Sequence, residues 1–123
     1  MEGRVTPANL TIRSYLAENA AFRVYSTRNA GTGKLAVTHV HVIRANPKAS
    51  LIEVRLETGR KHQIRVHLAE RSHPIIGDKV YGSRSNPIRR MALHAAQLGF
   101  RHPVTGRSMH FEATYPKSFS GCL

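Results

Sequence analysis

Apolar and polar positions along this chain fall into short runs whose period changes from one segment to the next. "LAVTHVHVIRA" (35–45) is rich in β-branched residues and predicts a strand. "NPKAS" (46–50) is a turn. In "LIEVRLE" (51–57), Ile52, Val54 and Leu56 alternate with Glu53, Arg55 and Glu57. That pattern predicts a strand with one buried and one wet face. Thr58-Gly59 ends it. From Lys61 to Glu70 the spacing becomes helical: Ile64 and Leu68 lie on one stripe, Arg65 and Ala69 on the next.

"SHPIIGDKVYG" (72–82) carries Pro74, Gly77 and Gly82 and reads as an ordered loop. "LHAAQLGF" (93–100) starts with Leu93 and Ala95 on one face and resumes with Leu98 and Phe100 on the other. A bulge near Ala96-Gln97 reconciles the halves. "HPVTGR" (102–107) is a hairpin turn, and "MHFEATY" (109–115) alternates again. Residues 1–34 are weakly patterned, with one short helix or strand expected near Leu10–Tyr15. There is no internal repeat, low-complexity segment or domain boundary. The expectation is an α+β fold: a mixed, mostly antiparallel sheet with an inserted helix, in one domain spanning 1–123.

Charge narrows the partners. Lys+Arg outnumber Asp+Glu by 19 to 7, for a formal +12. That excess points to a polyanion, with nucleic acid ahead of an anionic membrane. The cations are spread along the chain, which suits a folded basic surface. No stretch is long and apolar enough for a membrane span, and no signal-like segment opens the chain, so a cytoplasmic protein is expected. One cysteine, Cys122, can form neither an internal disulfide nor a cysteine-based zinc site. His39 and His41 share a strand face, but no third ligand stands near them in sequence. We expect no metal and no cofactor. With Phe 4, Tyr 4 and Trp 0, RNA recognition should lean on phosphate and shape.

The densest chemistry lies in "ETGRKHQIRVHLAE" (57–70), where Arg60, Lys61, His62, Arg65 and His67 crowd together. Four stretches extend the pattern: "TGRKHQIRVHLA" (58–69), "HPIIGDKVYG" (73–82), "ALHAAQLGFRHPVTG" (92–106) and "FEATYPKSF" (111–119). In that order and spacing they resemble the C-terminal half of the catalytic domain of RluA-type RNA pseudouridine synthases. "EGRV" (2–5) and "GKLAVTHVHVI" (33–43) extend the resemblance upstream. It implies isomerisation of a uridine in rRNA or tRNA, with no cofactor or metal and with the base flipped out of its stack. It implies that Arg65 pairs with a nucleophilic aspartate, and that Ile64 packs near the target base. Arg60, Lys61 and His62 would meet RNA.

The sequence departs from that family at the decisive position. Asp78 is the one aspartate in these 123 residues. It stands in "GDKVYG", a different family position, where it should shape a turn or pair with a nearby cation. The family's catalytic aspartate and its base-stacking tyrosine belong to a region upstream of "EGRV". The expectation is therefore a partial domain, inactive alone, with the partner of Arg65 missing. It should self-associate or be completed by an N-terminal half, because a sheet fragment leaves edges uncovered. The alternatives are a stand-alone basic RNA-binding module and a non-catalytic remnant that associates with another chain.

Overall fold

The computed structural model describes residues 1–85 and 89–93 and, as strands, 97–101 and 108–112. Its elements in chain order are β1 (Asn9–Glu18), β2 (Val24–Thr27), β3 (Lys34–Ala45), β4 (Ser50–Leu56), α1 (Gln63–Glu70), β5 (Gln97–Arg101) and β6 (Ser108–Glu112). The first four strands form one sheet in the order β2-β1-β3-β4. Strands β5 and β6 pair separately. Every described pairing is antiparallel, so the parallel element that a mixed sheet allows is not found among the described residues.

Helix α1 covers one face of the four-stranded sheet. Its residues Val66 and Leu68 are buried. Val66 joins Leu16, Val24, Ala36 and Tyr81 in one cluster. Leu68 joins Met1, Val5, Ile12, Val40 and Ile75 in another. The strands supply these residues at alternate positions, as a pleat requires.

The first hairpin exceeds expectation. Where one short element was expected, β1 runs for ten residues and pairs with β2 as well as β3. Its apolar alternation is broken at Ser14, which faces inward but bonds a helix side chain. That substitution hides the strand from a pattern of hydrophobic positions. On β4 the alternation holds in phase, with Ile52, Val54 and Leu56 opposite Val42, Val40 and Thr38. Leu56 is nevertheless 47% exposed. It sits on an edge strand beyond the cover of a short helix. The bulge expected near Ala96-Gln97 and the turn at 102–107 fall wholly or partly outside the described residues.

The two sheet edges differ. On β2 the outward N–H groups of Val24 and Ser26 donate to Tyr81 Oη (3.1 Å) and Glu70 Oε1 (2.9 Å). That edge is capped by side chains. On β4 the start is covered by the chain's first residues: Ser50 N donates to Met1 O at 3.0 Å, and Glu2 bridges Ala49. From Leu51 to Leu56, no backbone group among the described residues pairs with the outer edge.

Leu68 is the helix's main anchor in the larger cluster. Leu68→Ala should lower stability by about 3 kcal/mol. Urea unfolding should show an earlier midpoint at an unchanged slope.

Candidate functional site

Thr58-Gly59 turns the chain from β4 into α1, and Gln63 anchors the turn. Its Oε1 accepts from Thr58 Oγ1 (2.8 Å) and Arg60 N (3.0 Å). Its Nε2 donates to Val37 O (3.0 Å) and Thr38 Oγ1 (2.9 Å). A primary amide offers two donors and two acceptor sites, so this buried side chain is fully satisfied. His62 precedes the helix with a left-handed backbone, φ 54°.

One turn on, His67 is fully buried between Thr38 Oγ1 (2.7 Å from Nδ1) and Ser14 Oγ (2.8 Å from Nε2). The protons can be assigned by elimination. Ser26 has one hydroxyl proton and contacts both Glu70 Oε2 and Ser14 Oγ. The carboxylate only accepts, so Ser26 donates to Glu70 and Ser14 donates to Ser26. Ser14 must then accept from His67 Nε2–H. Nδ1 accepts from Thr38, whose oxygen in turn accepts from Gln63 Nε2. The chain is closed only with a neutral imidazole. Burial is the main cause that lowers the His67 pKa, with Arg71 adding to it against Glu70.

Gln63 and His67 thus set the rotation of α1, and that rotation aims Arg65 elsewhere. Its Nε and Nη2 each lie 2.9 Å from one oxygen of Asp78, a bidentate pair. Asp78 is 1% exposed and Arg65 18% by side chain. The hydrogen bond to Asp78 raises the Arg65 pKa further, against the effect of burial. The expected vacancy beside Arg65 is therefore filled by Asp78, from 13 residues downstream. Nη1 has no partner among the described residues.

The loop that carries Asp78 is built for the purpose. Gly77 (φ 85°) and Gly82 (φ 101°) adopt a backbone open to glycine. Asp78 N donates to Ile75 O, and Ser83 N donates to Asp78 O. Downstream, Glu2 Oε1 accepts from Ser83 Oγ, Arg84 N, Ser85 N and Ser85 Oγ. Burial opposes charge on Glu2, but these donors prevail and its pKa is lowered.

Tyr81, from the same loop, lies under the site. Arg65 Cζ is 4.9 Å from its ring centroid and Arg23 Cζ 5.3 Å. His62 meets the ring edge-on, with Nδ1 2.7 Å from Tyr81 Oη. Partial burial, then the Arg65 and Lys61 charges, lower the His62 pKa.

The other sequence-predicted residues divide. Arg60 Nε donates to Leu35 O at 2.8 Å, and Lys61 Nζ donates to Glu18 Oε1 at 3.1 Å. Both are exposed. Ile64 packs against the larger core cluster, which also takes in Met91 and Leu93. His62 and Arg65 meet at Tyr81, whereas Arg60 and Ile64 lie elsewhere. Sequence reasoning missed Gln63, Tyr81 and Arg23. The first two stand inside the quoted motifs, where a polar residue amid a helix and a tyrosine beside glycine were the available signals. Arg23 carried none. Among the described residues, no group of three or more potential metal ligands gathers. No helix there is long and apolar enough to cross a membrane.

Comparison with known proteins gives this arrangement its family. The family model described as RNA pseudouridylate synthase matches residues 5–70. The chain belongs to that family. It is 48% identical over 96 residues to ribosomal large subunit pseudouridine synthase D of Zymomonas mobilis, covering 71% of this chain and 30% of that one. It is 41% identical over 117 residues to the uncharacterized RNA pseudouridine synthase YhcT of Bacillus subtilis, covering 94% and 38%. Among solved structures, human RNA Pseudouridylate Synthase Domain Containing 1 superposes with a TM-score of 0.80 at 26% identity. The match covers 98% of this chain and 55% of that one. The chain thus spans about a third of the length of these curated relatives. It carries part of the pseudouridine synthase fold.

Two measurements probe the site. Asp78→Asn leaves the Arg65 guanidinium without its counter-charge and should lower stability by about 2 kcal/mol. Urea unfolding reads this directly. The His67 pKa is lowered in the folded chain, so the unfolded chain binds the proton first as pH falls. Stability is full above the ordinary histidine value of about 6.5 and declines below it. His62 adds to this slope. Urea midpoints above and below that pH should therefore differ, and the difference should shrink in His67→Gln.

Proposed function

We propose that this chain supplies the C-terminal half of the catalytic domain of an RNA pseudouridine synthase acting on rRNA or tRNA. These 123 residues alone do not complete the reaction. The observation that carries the reading is the state of Arg65. Asp78 holds two of its nitrogens and leaves Nη1 without a partner among the described residues. A guanidinium held on one edge and open on the other is placed to receive a second carboxylate. The resemblance assigns it one, the nucleophilic aspartate of the other half. Beside that cation the aspartate stays ionised.

Asp78 is a poor substitute nucleophile. Both its oxygens are engaged by Arg65, and it is almost wholly buried. Its role is to orient Arg65. In the completed enzyme the N1–C1′ bond of a flipped-out uridine breaks, the base turns, and a C5–C1′ bond forms; C5 loses its proton and N1 takes one up, so the product is an isomer of the uridine. The formal +12 charge supports RNA affinity, with exposed Arg60 and Lys61 meeting phosphate, His62 beside them, and Ile64 near the base. The open β4 edge supports association, either with the missing half or with a second copy. A stand-alone RNA-binding module would share the charge but have no use for an arginine held at one edge.

Tritium release from RNA carrying 5-tritiated uridine tests the proposal. The chain alone should release none. Mixing with a separately expressed N-terminal half of a related enzyme should start release. Arg65→Ala should then reduce it about a hundredfold or more. Release by the chain alone would overturn the half-enzyme reading. RNA binding without release in any mixture would favour the binding module.

A further inference from the structure

The turn joining β1 to β2 holds an aromatic side chain where stability alone would not place one. Phe22 is 71% exposed. Its backbone lies in the left-handed region, φ 61°, which phenylalanine rarely adopts. The turn fixes that conformation. Asn19 Oδ1 accepts from Ala21 N (2.9 Å) and Arg23 N (3.0 Å). Asn19 N donates to Arg23 O, and Phe22 N donates to Asn19 O. A strained residue that exposes a large apolar ring, held by a hydrogen-bonded turn, points to a function for the ring.

Its neighbours identify the partner. Lys61 Nζ lies 5.7 Å from the Phe22 ring centroid. Arg23, the next residue, stacks on Tyr81 together with Arg65. The ring thus stands at the rim of the Arg65–Asp78 site, among cations. An exposed aromatic face beside positive charge fits a nucleobase with its phosphate. An apolar protein surface would match the ring and waste the charges.

We propose that Phe22 is a stacking platform for an unpaired base of the RNA next to the target, with Lys61 and Arg23 taking the adjoining phosphates. This rests on the RNA reading above and adds a named contact to it. It adds one aromatic contact to a recognition expected to lean on phosphate and shape. Lys61 leaves Glu18 for phosphate when RNA arrives.

The chain has no tryptophan, so Phe22→Trp installs a single reporter at the tip. F22W would be titrated with end-labelled single-stranded oligouridine and with a labelled RNA duplex. Label anisotropy reports binding and tryptophan emission reports stacking. Single strands should raise anisotropy and quench emission over the same concentration range, while duplex should raise anisotropy alone. Phe22→Ala should bind single strands about tenfold more weakly than the parent chain. Phe22→Asn, which tolerates the left-handed backbone, should lose the same affinity without losing the fold. Binding of single strands with unquenched emission would overturn the proposal, as would parental affinity in F22A. No binding of either RNA at low salt would overturn the RNA reading as well. Tritium release judges the half-enzyme reading independently.

Discussion

Gln63 and His67 bury four polar side-chain atoms between helix and sheet, and each atom has a partner. Left unpaired in that place, any one would be strongly unfavourable. The helix can therefore sit in one rotation only. A small turn about its axis would strand the amide or the imidazole, although the apolar contacts of Val66 and Leu68 would tolerate some slip. Directional bonds thus do what hydrophobic packing cannot: they give α1 an angle as well as a place. Arg65 points at Asp78 because its neighbours two positions away on each side are held to the sheet.

This arrangement explains which parts of the chain were legible. Strands β3 and β4 and helix α1 announce themselves because their apolar positions keep a clean period. The β1–β2 hairpin does not, because Ser14 and Ser26 take inward places that a reading of hydrophobicity expects to be apolar. Those serines serve His67, from far along the chain. A period describes one element, whereas a buried polar network is shared among several, so its members look misplaced when read singly. Leu56 shows the reverse case: its alternation is perfect, yet no element among the described residues reaches far enough to cover it.

The site divides in the same way. Arg65 was marked by its motif, and in the structure it pairs with the carboxylate of Asp78. Its actual partner was legible only in outline: Asp78 was read as shaping a turn or pairing with a nearby cation, and spacing alone could not name that cation as Arg65. Turn and ion pair are both present: the glycines make the bend that carries the carboxylate to the helix. Tyr81 then binds the parts together, its hydroxyl touching His62 and a β2 backbone group, its ring beneath two guanidiniums. Pairing Arg65 with an internal acid keeps a partly buried cation tolerable in the isolated chain.

The capped β2 edge has a consequence for strand addition. Tyr81 and Glu70 occupy the backbone donors through which a further strand would join on that side. Among the described residues, β4 keeps an unpaired outer edge, and so does β1 from Asn9 to Ser14, beyond the reach of the short β2. The phenol that supports the arginine site thus also closes the β2 border against a further strand.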